Sequence, residues 1–540
     1  MYLFDNPVLQ RELVVNLRMT RGFILLFAYI ALLGGLVLAA WPAEQKLDLA
    51  QPEEAQKLVN LLFLGQYILV SLMTPSFAAG AITGERERES YEMLLASPLK
   101  PGAIVLGKLA ASLTPLAELM ICSLPIVMLC LPLGGVSPYE VGAAYLAMMS
   151  SVALSGMISL WCSSFFNRTS ASLVASYMLI LPLSLAGVLV WQAMAQIGEA
   201  RLLLISTAVP IACASIGALL WADVCRRLLR PPDLGSGGKQ AIDLETEAKE
   251  AVGLYIERDQ FPDRLFAPPK RTTFLPDDAN PIYDKEMRSE IFSQGTLMLR
   301  MVIQISMGLA LFVMAYCLFI QRHLAPWYVS YVLLFNLLVG PVFTADSMTS
   351  ERERSTLDLL LTTLITPWQM LWGKLLSGLR VSSVLTSFLL WPVFLACIMP
   401  GVGYWSNLPT MLGFFLIVGL TAVTTSVTAM FCSTLFRKSA TSLMCSYLLL
   451  ATMFLAPVAA GVFVDAFAAG SQAERVVNVA QVTSPFAAAF NLPLTIDDRT
   501  NVATIHTAVF WGFVLFAAVY NGVLLFATTR LIQARWRISE

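Results

Sequence analysis

Two 24-residue segments of this chain are copies of one another. Residues 85–108 read ERERESYEMLLASPLKPGAIVLGK, and residues 351–374 read ERERSTLDLLLTTLITPWQMLWGK, related by a constant shift of 266 without a gap. Each runs from four alternating charges through apolar residues at helical spacing to a proline, then to Gly-Lys at the start of a long apolar run. An order this specific, met twice at fixed spacing, restricts the chain to folds built from two copies of one unit. In each unit a short charged segment must sit between two apolar stretches.

Those stretches are membrane spans by length. The chain is 57% hydrophobic and 13% charged, against about a quarter charged in soluble domains. The apolar residues come in blocks that can cross a hydrocarbon core of about 30 Å. The expected fold is an all-α polytopic membrane protein with spans near 22–42, 58–82, 102–132, 139–166, 171–196 and 202–226, then 298–320, 326–348, 368–399, 408–435, 440–466 and 503–530. Several exceed the minimum of about 20 residues, which predicts tilts or kinks.

Lys and Arg set the orientation. With the N-terminus inside, only Lys46, Lys57, Arg201, Arg322, Arg475 and Arg499 of the 35 basic residues fall outside. Both termini are therefore expected in the cytoplasm, with the chain in the inner or plasma membrane of the cell. The first 20 residues carry Asp5, Arg11, Glu12 and Arg18, so no cleavable signal is expected there. A net charge of −1 gives no bulk attraction to nucleic acid. The nine cysteines form no C-x-x-C pair and there are two histidines, so no metal or disulfide framework is expected.

The duplication extends past the charged motif. Asn6-Pro7 with Arg11-Glu12 matches Asn280-Pro281 with Lys285-Glu286; Pro75 and Phe77 match Pro341 and Phe343; Phe166 and Ser176-Tyr177 match Phe436 and Ser446-Tyr447. The expected organisation is a first repeat at 1–230, a polar linker at 231–279 and a second repeat at 280–540. Six spans per repeat make the two parallel, related by an axis along the membrane normal. Each repeat opens with an amphipathic interfacial helix, at 3–18 and 280–296. The linker, punctuated by Pro231-Pro232, Gly237-Gly238 and Pro268-Pro269, reads as a flexible tether, with a regulatory role as the alternative.

The charged segments are expected as short helices on the inner side, at 83–98 and 349–366. Leu357, Leu360, Leu361 and Leu364 make one apolar stripe, which Tyr91, Leu94 and Leu95 begin in the first copy. Pro101 and Pro367 suit the first turn of the next helix. A single such segment could be a solvated basic loop; two copies at the same spacing argue against that. Gly102 to Lys108 imitates a phosphate-binding G-x-x-x-x-G-K loop, but Leu109 stands where the Mg²⁺-binding hydroxyl is required and no strand precedes it. Glu118 lies mid-span, where an ionised carboxylate is costly. It is either a group on a transport route or a buried structural one; Val384 replaces it in the second copy.

The pattern E-R-E-x-x-T-L-[DE]-x-L-L-x-[ST]-P followed by G-K resembles the permease subunits of the type-2 ABC exporter family. Glu351-Arg352-Glu353, Thr356-Leu357-Asp358 and Leu360-Leu361 match it, although Leu364 stands where the proline belongs. The first copy departs at Ser90-Tyr91 and keeps Leu94-Leu95, Ser97 and Pro98; Ser484-Pro485-Phe486 also looks like a family element. The likeness spans roughly 1–230 and 280–530 and is nearest in flavour to permeases of the multicopper-enzyme-maturation type.

The resemblance implies the membrane part of an ATP-driven exporter, not itself an enzyme and without a cofactor of its own. ATP and Mg²⁺ would be bound by a cytoplasmic ABC ATPase partner in two copies, and the exported substrate is unassigned. The coupling contacts it implies are Glu85, Arg86, Glu87, Arg88, Leu94 and Leu95, with Glu351, Arg352, Glu353, Arg354, Leu360 and Leu361. A twelve-span secondary transporter and a non-transporting assembly scaffold are the rival readings.

Overall fold

The computed structural model describes residues 7–17, parts of 26–37, 52–129, 137–166, 169–193, 203–229, 280–288, 296–320, 324–398, 408–467, 472–492 and 507–539, apart from Arg88 and positions scattered through 354–364. Every regular element among them is a helix. The chain divides into two compact units, Met1–Gly237 and Gly238–Glu540.

The first unit contains α1 (Pro7–Leu17), α2 (Pro52–Ala78), α3 (Gly80–Glu87), α4 (Tyr91–Leu95), α5 (Pro101–Leu129), α6 (Pro138–Phe165) and α7 (Thr169–Ala193); a π turn at Leu204–Ala208 leads into α8 (Val209–Leu229). Four of these begin on proline, whose missing N–H costs nothing in a first turn. Ser137 and Glu140 close a reciprocal capping box that starts α6. In the second unit are α9 (Pro281–Arg288), α10 (Thr296–Met314) ending in a π turn, α11 (Ala325–Thr344), α12 (Thr349–Glu353), α13 (Pro367–Ile398) and α14 (Leu408–Leu435). They are followed by α15 (Ser439–Leu450), α16 (Ala456–Phe467), α17 (Gln472–Ala480), α18 (Pro485–Phe490) and α19 (Thr507–Ser539).

Ten helices among the described residues are long and apolar enough to cross a membrane, five in each unit. They fall on ten of the expected spans. The span expected at 298–320 is represented by α10 and its π turn, with a shorter apolar stretch, Ile303–Cys317. Most of 22–42 and all of the linker 231–279 lie outside the described residues.

In the first unit α6 packs against α2, α5, α7 and α8; in the second, α14 packs against α11, α13, α15 and α19. These central helices are rich in small hydroxyl residues. Thr421, Thr425 and Thr428 of α14 are fully buried. They return their hydroxyls to carbonyls of their own helix, for example Thr421 to Ile417 at 2.7 Å and Thr428 to Thr424 at 2.7 Å. The polar atoms are thereby satisfied without water, and neighbouring backbones can approach closely.

In each unit the helix that leads into the charged segment breaks near its charged end. Pro75 and Pro341 remove one ladder hydrogen bond apiece. The chain turns a few residues on, and a serine of the central helix accepts the amides at the break. Ser163 Oγ takes those of Ile82 and Thr83 at 3.0 Å each. Ser433 Oγ takes those of Met348 and Thr349 at 2.9 and 3.2 Å. After the break the chain carries the E-R-E charges.

Candidate functional site

The charged segment expected as one helix at 83–98 is divided. α3 ends at Glu87, Glu89 turns the chain at φ 57°, and α4 begins at Tyr91. Side chains strain in that left-handed region, so Glu89→Gly is expected to raise stability by about 0.5–1 kcal/mol. Thermal unfolding in detergent checks it; an unchanged or lower midpoint defeats the claim. In the second copy α12 carries Glu351 to Glu353, and Leu357 and Leu360 are helical within the partly described 349–366 stretch.

The first three motif charges each take a different partner. Glu85 receives Lys108 Nζ at 3.0 Å and the Ser90 hydroxyl. Lys108, 5% exposed, also faces Glu12 of α1 at 3.6 Å. In the second copy Lys374, 2% exposed, lies 3.2 Å from Glu351 and 2.8 Å from Glu286 of α9, while Lys285 approaches Glu351 at 3.0 Å. Thr356 donates to Glu351 as Ser90 does to Glu85. This explains the repeated Gly-Lys. The lysine joins the entry helix to the motif. A Cβ on Gly373 would meet Asn280 just before α9, and Ile282 and Tyr283 on it, at 3.0 Å, so glycine lets that helix lie close.

Arg86 forks onto the end of α6, Nη1 to Phe166 O and Nη2 to Ser164 O, each at 2.9 Å. Its guanidinium also lies over the Tyr91 ring, 5.0 Å from the centroid. Arg352 makes the same fork to Phe436 O at 2.6 Å and Thr434 O at 2.9 Å. Glu87 accepts the Thr169 amide at 2.7 Å. Glu353 accepts the Ser439 amide at 2.8 Å and its hydroxyl at 3.1 Å.

The apolar stripe faces inward. Tyr91 is 3% exposed in a cluster with Ile82, Val105, Leu160 and Val224, with Leu95 against it. Leu357 and Leu360 pack on the matching cluster of Met348, Met370 and Met430. Leu94 is half-buried, whereas Glu92, Met93 and Ala96 are exposed, Met93 at 79%. Arg88, Arg354 and Leu361 lie outside the described residues. Glu118 sits half-buried on α5, with no hydrogen-bond or ion-pair partner among the described residues. No group of His, Cys, Asp and Glu among the described residues could hold a metal ion.

Sequence reasoning found the motif but not its partners. Lys108, Lys374, Glu12 and Glu286 were visible as repeated residues, and their pairing was not. The carbonyls of Ser164, Phe166, Thr434 and Phe436 carry no side-chain signal at all.

Among the described residues, ten membrane-length helices, five in each unit, with the same charged joint in both, define a multi-pass helical membrane protein. A family model described as ABC-2 family transporter protein matches residues 272–531, and a second model of the same description matches 39–219. The chain belongs to the ABC-2 family of transporter proteins and is an ABC transporter membrane component. No curated protein matches it.

Proposed function

We propose that this chain is the permease of an ABC exporter in the cell membrane, driven by ATP that a separate cytoplasmic ATPase hydrolyses. Twelve spans in two parallel sets of six, with both termini in the cytoplasm, accord with the Lys and Arg distribution. Each repeat supplies one docking segment, so two ATPase copies are engaged. Glu118, a mid-span carboxylate without a partner among the described residues, is assigned to the substrate route.

The observation that carries the reading is the two-faced helix α4. Tyr91 and Leu95 fix it to the bundle, while Glu92, Met93 and Ala96 present an outward ridge. A ridge held on one side and open on the other suits insertion into a partner's groove. The docking role thus moves from the E-R-E charges to the helix after them. Their counterparts by the 266 shift, Asp358 and Leu359, lie outside the described residues.

Purification of the full chain from its native host is expected to recover a nucleotide-hydrolysing subunit. Glu92→Lys with Met93→Asp should reduce that recovery about tenfold or more, as hot-spot losses do. Wild-type chain that brings down no ATPase, or an undiminished yield with the double variant, defeats the reading.

A further inference from the structure

The first helical break in each unit has a second, less obvious counterpart, where α6 ends and α7 begins, and where α14 ends and α15 begins. A helix end exposes carbonyls with partial negative charge, and a helix start exposes amides with partial positive charge. Consecutive residues of the motif answer both. Arg86 holds Ser164 O and Phe166 O of the ending helix, and Glu87 holds the Thr169 amide of the starting one. Arg352 and Glu353 do the same to Thr434 O, Phe436 O and the Ser439 amide. Hydroxyls reinforce the join. Thr83 Oγ1 lies 3.2 Å from Thr169 Oγ1, and Ser439 Oγ donates to Thr349 Oγ1 at 2.9 Å.

The two copies differ in a way that makes the join informative. The motif residues are related by a shift of 266, but the residues they hold are related by a shift of 270. The second copy has four more residues between motif and target, and the bonds are nevertheless the same. A solvated charge pair would not be held to register across such a difference. The first three motif charges of each copy also each bond a partner within the chain.

We infer that Arg86 with Glu87, and Arg352 with Glu353, are positioning residues that clamp the junction between the fourth and fifth spans of each repeat and deliver coupling-segment motion to that junction. The clamp rests on the reading above only for the source of the motion. When α4 is pushed, the rigidly attached α3 moves, and its two neighbouring charges pull on one helix end and one helix start together. The junction is then the place where displacement enters the bundle.

The test uses the full chain with and without its co-purified ATPase, read by hydrogen exchange. The isosteric pair Glu87→Gln with Glu353→Gln loses the anionic acceptor. Exchange at Thr169 and Ser439 should become roughly three- to tenfold faster, the difference between a hydrogen bond to a charged acceptor and one to a neutral acceptor. ATPase recovery should equal wild type. Trapping with ATP and vanadate should alter exchange at 164–172 and 434–442 in wild type and not in the variant, while the change at 89–96 persists. Arg86→Lys with Arg352→Lys keeps the charge, loses the fork and should behave alike.

Unchanged basal exchange overturns the clamp. A nucleotide-dependent change that survives at the junction overturns its transmitting role, and lost ATPase recovery makes the motif a docking contact instead. If wild type recovers no ATPase, the proposed function fails and the transmitting role with it; basal exchange still decides the clamp.

Discussion

Lys374→Met is expected to destabilise the chain by about 3 kcal/mol, the low end of what breaking a buried ion pair costs. Lys374 is 2% exposed and stands between two carboxylates, Glu286 at 2.8 Å and Glu351 at 3.2 Å. Methionine matches the stem and removes the ammonium that stands between the two carboxylates. The estimate stays at the low end because Lys285, 56% exposed, still holds Glu351 at 3.0 Å. Glu286 loses its ammonium contact at 2.8 Å. Adding Glu286→Gln to Lys374→Met should therefore recover about 1 kcal/mol or more, because neighbouring substitutions couple. Thermal unfolding of purified protein measures both. A Lys374→Met midpoint within error of wild type, or a double variant no better than the single, removes the buried lysine from the support of the joint.

The sequence carried the spans and the duplication because both are periodic signals. Ten spans fell where apolar blocks lay, and the prolines at 101 and 367 start α5 and α13 as their chemistry demands. What it did not carry was contact at long range. Arg86 meets carbonyls about 80 positions away, and a backbone carbonyl has no letter in a sequence. The division of 83–98 was also hidden. Its turn rests on Glu89 at positive φ, a position where glycine or asparagine would have announced itself. The docking face was read onto the charges because they repeat most clearly. They repeat because the fold uses them: each bonds a fixed partner within the chain, whereas Glu92 and Met93 face outward.

Gly340→Ala is expected to cost about 1–3 kcal/mol, the range for overpacking a filled interior. Gly340 lies on α11 where that helix crosses α14. A Cβ there would stand 2.4 Å from Thr425 Oγ1 and 3.1 Å from Thr425 Cβ. Membrane helices gain their association from such close approach. Thr425 cannot swing aside freely, because it is fully buried and its hydroxyl donates to Ala422 O at 3.0 Å. Either the rotamer or the helix separation must change. Thr425→Ala removes the nearer atom and leaves the Cβ, so the double variant should regain part of the loss and not all of it. Gly419 on α14 supplies the contrast: a Cβ there meets nothing within 4 Å. Gly419→Ala should be neutral or raise stability by up to about 1 kcal/mol through helix propensity. Unfolding midpoints of the three variants in one detergent decide the matter. If Gly340→Ala tracks Gly419→Ala, the α11–α14 crossing is looser than a 2.4 Å approach allows.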